Sequence, residues 1–103
     1  MEDEVADWYT HLTVTQAASV DRVLDLLAEK GNQLTMPHSR PLGKGLFELR
    51  FKLDNNQQRI TYIFDIDKHI ITLTTFRKTR SNESQQVARA RRVQKRYLRR
   101  HSR

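Results

Sequence analysis

A chain of 103 residues with a formal net charge of +7, no cysteine and four scattered histidines has room for one small core. The absent cysteines exclude disulfide scaffolds and cysteine-based zinc sites, and the histidines have no ligand spacing, so neither a metal nor a cofactor is expected. No apolar run is long enough to span a membrane and the acidic start lacks a secretory core, so the reading is one cytoplasmic domain over residues 1–103.

Residues 3–12 read as a helix, because Val5, Trp8, Tyr9 and Leu12 fall at i, i+3, i+4 and i+7. An aromatic stripe at this spacing belongs to a core. A second helix is expected from Thr15 to Lys30, with Ala17, Val20, Leu24 and Leu27 on its inner face and Gly31 at its end. The two form a helical hairpin. From Asn32 to Gly45 a loop is expected, since Pro37, Pro41, Gly43 and Gly45 break regular structure.

The apolar period then changes to two. "LFELRFKL", "RITYIFDI" and "IITLTTFRK" read as an antiparallel three-stranded meander joined at "DNNQQ" and "DKH", with a possible extra edge strand. Phe47, Leu49, Phe51, Ile60, Tyr62, Phe64, Ile71 and Leu73 fall on one face and take the helices. Glu48, Arg50, Lys52, Arg59, Thr61, Thr72, Thr74, Phe76 and Lys78 fall on the other, which a small sheet leaves wet. No histidine lies on that face in this register. A β-bulge in the last strand would shift the alternation by one and exchange Lys78 for Arg77.

A final helix is expected from Ser81 or Asn82, where Asn82 and Gln85 have capping-box spacing; Val87, Ala90, Val93 and Tyr97 form its narrow stripe. Charge is uneven along the chain: residues 1–36 hold seven acids and two bases, residues 37–103 five acids and seventeen bases. From Ser84 onward there are eight bases and no acid. A surface of this kind attracts polyanions such as RNA, or is simply a solvated cationic helix. Likewise, the cationic sheet face with one exposed Phe76 suits an RNA-gripping surface or an ordinary wet face.

"PLGKGLFELRF", followed by "QRITYIFD", "TFRKT" and "KRYLRRH", resembles the RelE/HigB superfamily of bacterial type II toxin–antitoxin toxins, in particular its phage-derived HigB-like branch. The resemblance covers about residues 40–101. Two features depart from the family pattern: the β-strand that usually precedes the first helix is missing or very short, and Lys78 is followed by Thr79 where a second lysine is common.

The resemblance implies an α+β, RelE/ParE-like fold and a metal-independent endoribonuclease acting on messenger RNA at the ribosome. A small helix-turn-helix antitoxin would neutralise it. Arg50 and Arg59 would stabilise the phosphate. Lys78 would transfer a proton, made easier by the like charges around it. Phe76 would stack on a base, and Lys52, Arg80, Arg92 and Arg96 would grip RNA. Glu48 is either a general base or a salt-bridge partner of Lys52 or Arg59. Tyr62 belongs to the core; Tyr97 packs or reaches the site. Two other functions stay open, a ParE-like DNA gyrase inhibitor and a non-catalytic RNA-binding module.

Overall fold

A computed structural model describes residues 3–101. Helix α1 (Asp3–Thr10) and helix α2 (Val14–Lys30) form the expected hairpin. Thr13 caps α2 through a reciprocal box: its side chain accepts from Gln16 N–H, and the Gln16 side chain accepts from Thr13 N–H. A single 3-10 turn (Gly31–Gln33) follows. Strands β1 (Ser39–Gly43), β2 (Leu46–Leu53), β3 (Asn56–Phe64) and β4 (Ile70–Arg77) then form one antiparallel sheet in the order β1-β2-β3-β4. Helix α3 (Glu83–Arg100) closes the chain.

The segment assigned to a loop therefore contains a fourth strand. Pro41 lacks an N–H, but β1 is an edge strand and one of its sides needs no partner. Two-residue turns set the register of both neighbouring hairpins. Lys44 and Gly45 join β1 to β2, and Asp54 and Asn55 join β2 to β3, all four at positive φ. "DNNQQ" is thus a tight turn of two residues, and Asn56 already belongs to β3.

Helices cover both faces of the sheet. On one face Val20 and Leu27 of α2 pack against Leu49, Leu53, Ile60 and Tyr62, with Trp8, Tyr9 and the ring trio Phe47, Tyr62 and Phe64 around them. Tyr62 is core as expected, and its hydroxyl shares a hydrogen bond with Ser39. On the other face Ala90 and Tyr97 of α3 pack against Leu46, Ile63 and Leu73. The expectation that this face is wet along its whole length is corrected: half of it is the seat of α3. Tyr97, 8% exposed, packs in this second core.

A β-bulge explains why the alternation of β4 was misread. Thr61 opposes Thr74, but Tyr62 opposes Thr72, so Leu73 is the extra residue. Ahead of it, Ile70 and Thr72 share the α2 face while Ile71 and Leu73 serve the α3 core. Behind it, Thr74 and Phe76 keep the phase read from the sequence. The bulge lies on the far side of Phe76 from Lys78, so it does not exchange Lys78 for Arg77.

Glu4 guards the β4 edge. A Glu4 carboxylate oxygen accepts the Thr75 N–H at 2.9 Å, and Arg89 of α3 donates to the Thr75 carbonyl at 3.2 Å while pairing with Glu4. Together they satisfy edge groups that a neighbouring strand would otherwise take. The Asn82–Gln85 capping box does not form. The Asn82 side chain instead accepts from Thr79 N–H and donates to Arg77 O, pinning the turn between β4 and α3.

Candidate nucleic-acid interface

The ladder registers set the uncovered half of the α3 face in three rows. Arg40, Glu48, Thr61 and Thr74 are mutually opposed across the four strands. In the next row Arg50 opposes Arg59, and Arg59 opposes Phe76. Lys52 opposes Gln57, and Gln57 accepts the Lys78 N–H at 2.7 Å just past the end of β4. The structure thus brings together Arg50, Arg59, Lys52, Phe76 and Lys78, as the alternation predicts. It also adds Arg40 from the extra edge strand, which lies in the segment expected to be a loop.

Burial separates their roles. The Arg50 side chain is 28% exposed, and one end of its guanidinium touches the Met36 sulfur at 3.3 Å. Lys78 is half-buried, and its ammonium makes one long contact, 3.5 Å to the Thr79 carbonyl. Lys52 and Arg80 are exposed.

Arg59, by contrast, is 2% exposed and donates to the Gln58 carbonyl and the Gln57 side chain. Direct phosphate contact by Arg59 is therefore corrected: its charge acts from beneath the surface. Phe76 is corrected likewise. It is 7% exposed, so its ring offers no open face for a base.

Glu48 lies wholly buried between the two arginines. Its Oε1 is 3.5 Å from Arg59 Nε and 3.8 Å from Arg50 Nε, and no pairing with Lys52 forms. Neither carboxylate oxygen, nor either Nε, has a hydrogen-bond partner. Removal from water pushes the Glu48 carboxyl above its ordinary range, with Glu83 adding to the rise, while Arg59, Arg50 and Arg40 pull it back only in part. Burial likewise lowers Arg59, against the pull of Glu48. Of the two readings of Glu48, the ion pair with Arg59 is the one present. A wholly buried carboxylate has no route to a substrate hydroxyl.

The α3 arginines divide as well. Arg89 holds Glu4 and Thr75, and Arg91 grips the carbonyls of Leu42 and Gly43 at the β1–β2 turn, so both are structural. Gly43 sits there at φ +91°, which favours glycine. Arg92 and Arg96 are exposed but lie about 14 and 20 Å along α3 from Glu83, whose carboxylate pairs with Arg40 beside the sheet cluster. They border grooves that also contain Glu4. The structure does not bring them together with Arg50.

Asp65, Asp67 and His69 approach within 4.8 Å of one another, as metal ligands would. Their hydrogen bonds account for the arrangement: Asp65 accepts the N–H groups of Asp67 and His69 and closes the β3–β4 turn. Among the described residues, no helix is long and apolar enough to cross a membrane.

No curated protein and no solved structure matches this chain. A family model does: that of the phage-derived protein Gp49-like family (DUF891), over residues 7–97. The match runs from α1 through Tyr97 and contains every strand of the cationic cluster. The chain therefore belongs to the phage-derived Gp49-like family, a RelE-like family associated with toxin–antitoxin systems.

Proposed function

We propose that this protein is the toxin of a type II toxin–antitoxin pair and that it cleaves messenger RNA engaged with the ribosome in the cytoplasm. The observation that carries this reading is the uncovered half-face, where the partly exposed Arg50 shares a face with Lys52 and Lys78 and with the buried Arg59. The reaction is attack of a ribose 2′-OH on the adjacent phosphate, giving a cyclic phosphate and a free 5′-OH. Arg50 presents a planar fork to the phosphate oxygens, and Arg59 adds positive potential without contact. Lys78 donates the proton that the leaving 5′-O requires. Lys52 and Arg80 hold the flanking backbone. A small helix-turn-helix antitoxin with an acidic segment covers this surface and α3.

The test incubates the purified protein with translating ribosomes and maps transcript ends. Cyclic-phosphate termini that vanish in Arg50→Ala support the reading. Intact transcripts together with gyrase-dependent DNA breaks would transfer the protein to the gyrase-inhibitor class. RNA binding without cleavage of any transcript would make it a binding module.

A further inference from the structure

The proposed cleavage needs a group that takes the 2′-OH proton, and Glu48 is sealed away from it. We propose that His38 is that general base. This rests on the endoribonuclease reading above.

The β1 strand places it. Ser39 opposes Leu49 and Arg40 opposes Glu48, so continuing the ladder by one step sets His38 opposite Arg50. The Arg50 N–H donates to the His38 carbonyl at 2.8 Å, which ties the two backbones in that register. Opposed residues share a face with Cβ atoms about 5 Å apart. His38, the turn residue just before β1, therefore continues the row of Arg50, Arg59 and Phe76 past the end of the strand, beside Arg50. The neighbouring loop reaches the same place, since Met36 touches the Arg50 guanidinium.

The histidines differ in how free their rings are. The Nδ1 atoms of His11 and His101 lie 2.7 and 2.9 Å from the carbonyls of Asp7 and Tyr97, and His69 Nδ1 lies 3.1 Å from the Asp65 carboxylate. His38 is exposed, and its ring has no hydrogen-bond partner among the described residues. Of the four imidazoles, it is the one beside the cationic cluster. The charged groups facing it are Arg50 and Glu48 on the neighbouring strand β2 and Arg40 with its partner Glu83 of α3; Arg59 on β3 and Lys78 after β4 follow farther across the sheet.

The step balances without a co-reactant. A ring nitrogen of His38 accepts the 2′-OH proton as the 2′-oxygen bonds to phosphorus. The P–O5′ bond breaks, and the leaving oxygen takes a proton from Lys78. Solvent then returns His38 and Lys78 to their starting states. Imidazole is the side chain that does this near neutral pH.

The experiment measures single-turnover cleavage of a defined transcript on ribosomes from pH 5 to 9, with RNA affinity measured in parallel. The wild-type rate is expected to rise with pH and level off. His38→Gln is expected to lose about a hundredfold in rate and the rising limb, with RNA affinity within twofold. His11→Gln and His69→Gln keep the wild-type profile. Should His38→Gln not fold, His38→Ala with added imidazole decides: recovered cleavage supports the assignment and its absence overturns it. A folded His38→Gln that cleaves within threefold of wild type overturns the assignment of His38 while leaving the endoribonuclease reading intact. A wild type that cleaves no RNA overturns both.

Discussion

Glu48 and Arg59 are opposite charges sealed inside the sheet, 3.5 Å apart and not hydrogen-bonded to each other. Neither tolerates loss of the other, because the survivor would be left in a dry site. Glu48→Ala and Arg59→Ala are each expected to destabilise the fold by about 3–5 kcal/mol, measured by urea unfolding. A loss under 1 kcal/mol in both would show that water reaches the pair.

The same carboxyl predicts a pH signature. Its folded pKa is raised, so the native state holds the proton more tightly than the unfolded chain. The stability this adds is complete below the unfolded value, about 4.3, and is lost as pH rises through the folded value. Glu48→Gln removes that loss. The stability of wild type relative to Glu48→Gln is therefore expected to be greatest in acid and to fall above pH 4.3. Asp65 cancels in the comparison: partial desolvation opposes, but the His69 and Asp67 hydrogen bonds still hold its carboxyl below the usual range in both proteins. A flat difference between pH 3 and 8 would contradict the direction assigned to Glu48.

Arg50 separates function from folding where Arg59 does not. Its side chain is 28% exposed and stands 3.8 Å from Glu48 against 3.5 Å for Arg59, so Arg50→Ala is expected to cost less stability than Arg59→Ala. Cleavage should fall by roughly 10²–10³-fold, the scale of one lost transition-state donor. Thermal melts beside the cleavage assay distinguish the two arginines.

Arg89→Ala is expected to expose the β4 edge. It removes the pair with Glu4 and the bond to the Thr75 carbonyl, at about 1–3 kcal/mol. Faster amide exchange at Thr75 and concentration-dependent self-association would follow from an unguarded strand edge. Exchange at Thr75 as slow as in wild type would mean Glu4 suffices alone.

Much of this arrangement was legible in the sequence, and the misses have physical causes. Period-two alternation in "LFELRFKL" placed Arg50, Lys52 and Glu48 correctly, because a buried face pins register. β1 was hidden by Pro41 and two glycines, which suit an edge strand and a tight turn as well as a loop. With β1 went Arg40 and, in the turn just ahead of it, His38. No polar–apolar alternation marks the strand either, since "HSRPL" is three polar residues followed by two apolar ones. The phase of early β4 was missed because a bulge leaves no mark in a run where every residue is apolar or threonine. Phe76 looked exposed because alternation gives a side chain's face and says nothing of what covers that face.

The bulge at Leu73 makes β4 two short strands laid end to end in opposite phase. One half answers to a helix that wants aliphatic side chains. The other answers to a polar surface that wants Thr74 and Phe76 turned its way. Strict alternation through the same residues, with no bulge, would force a choice between them: either Ile71 abandons the α3 core, or Phe76 and the chain after it rotate towards α2. The helix anchor and the cationic surface share one side of the sheet because the strand breaks its own rhythm between them.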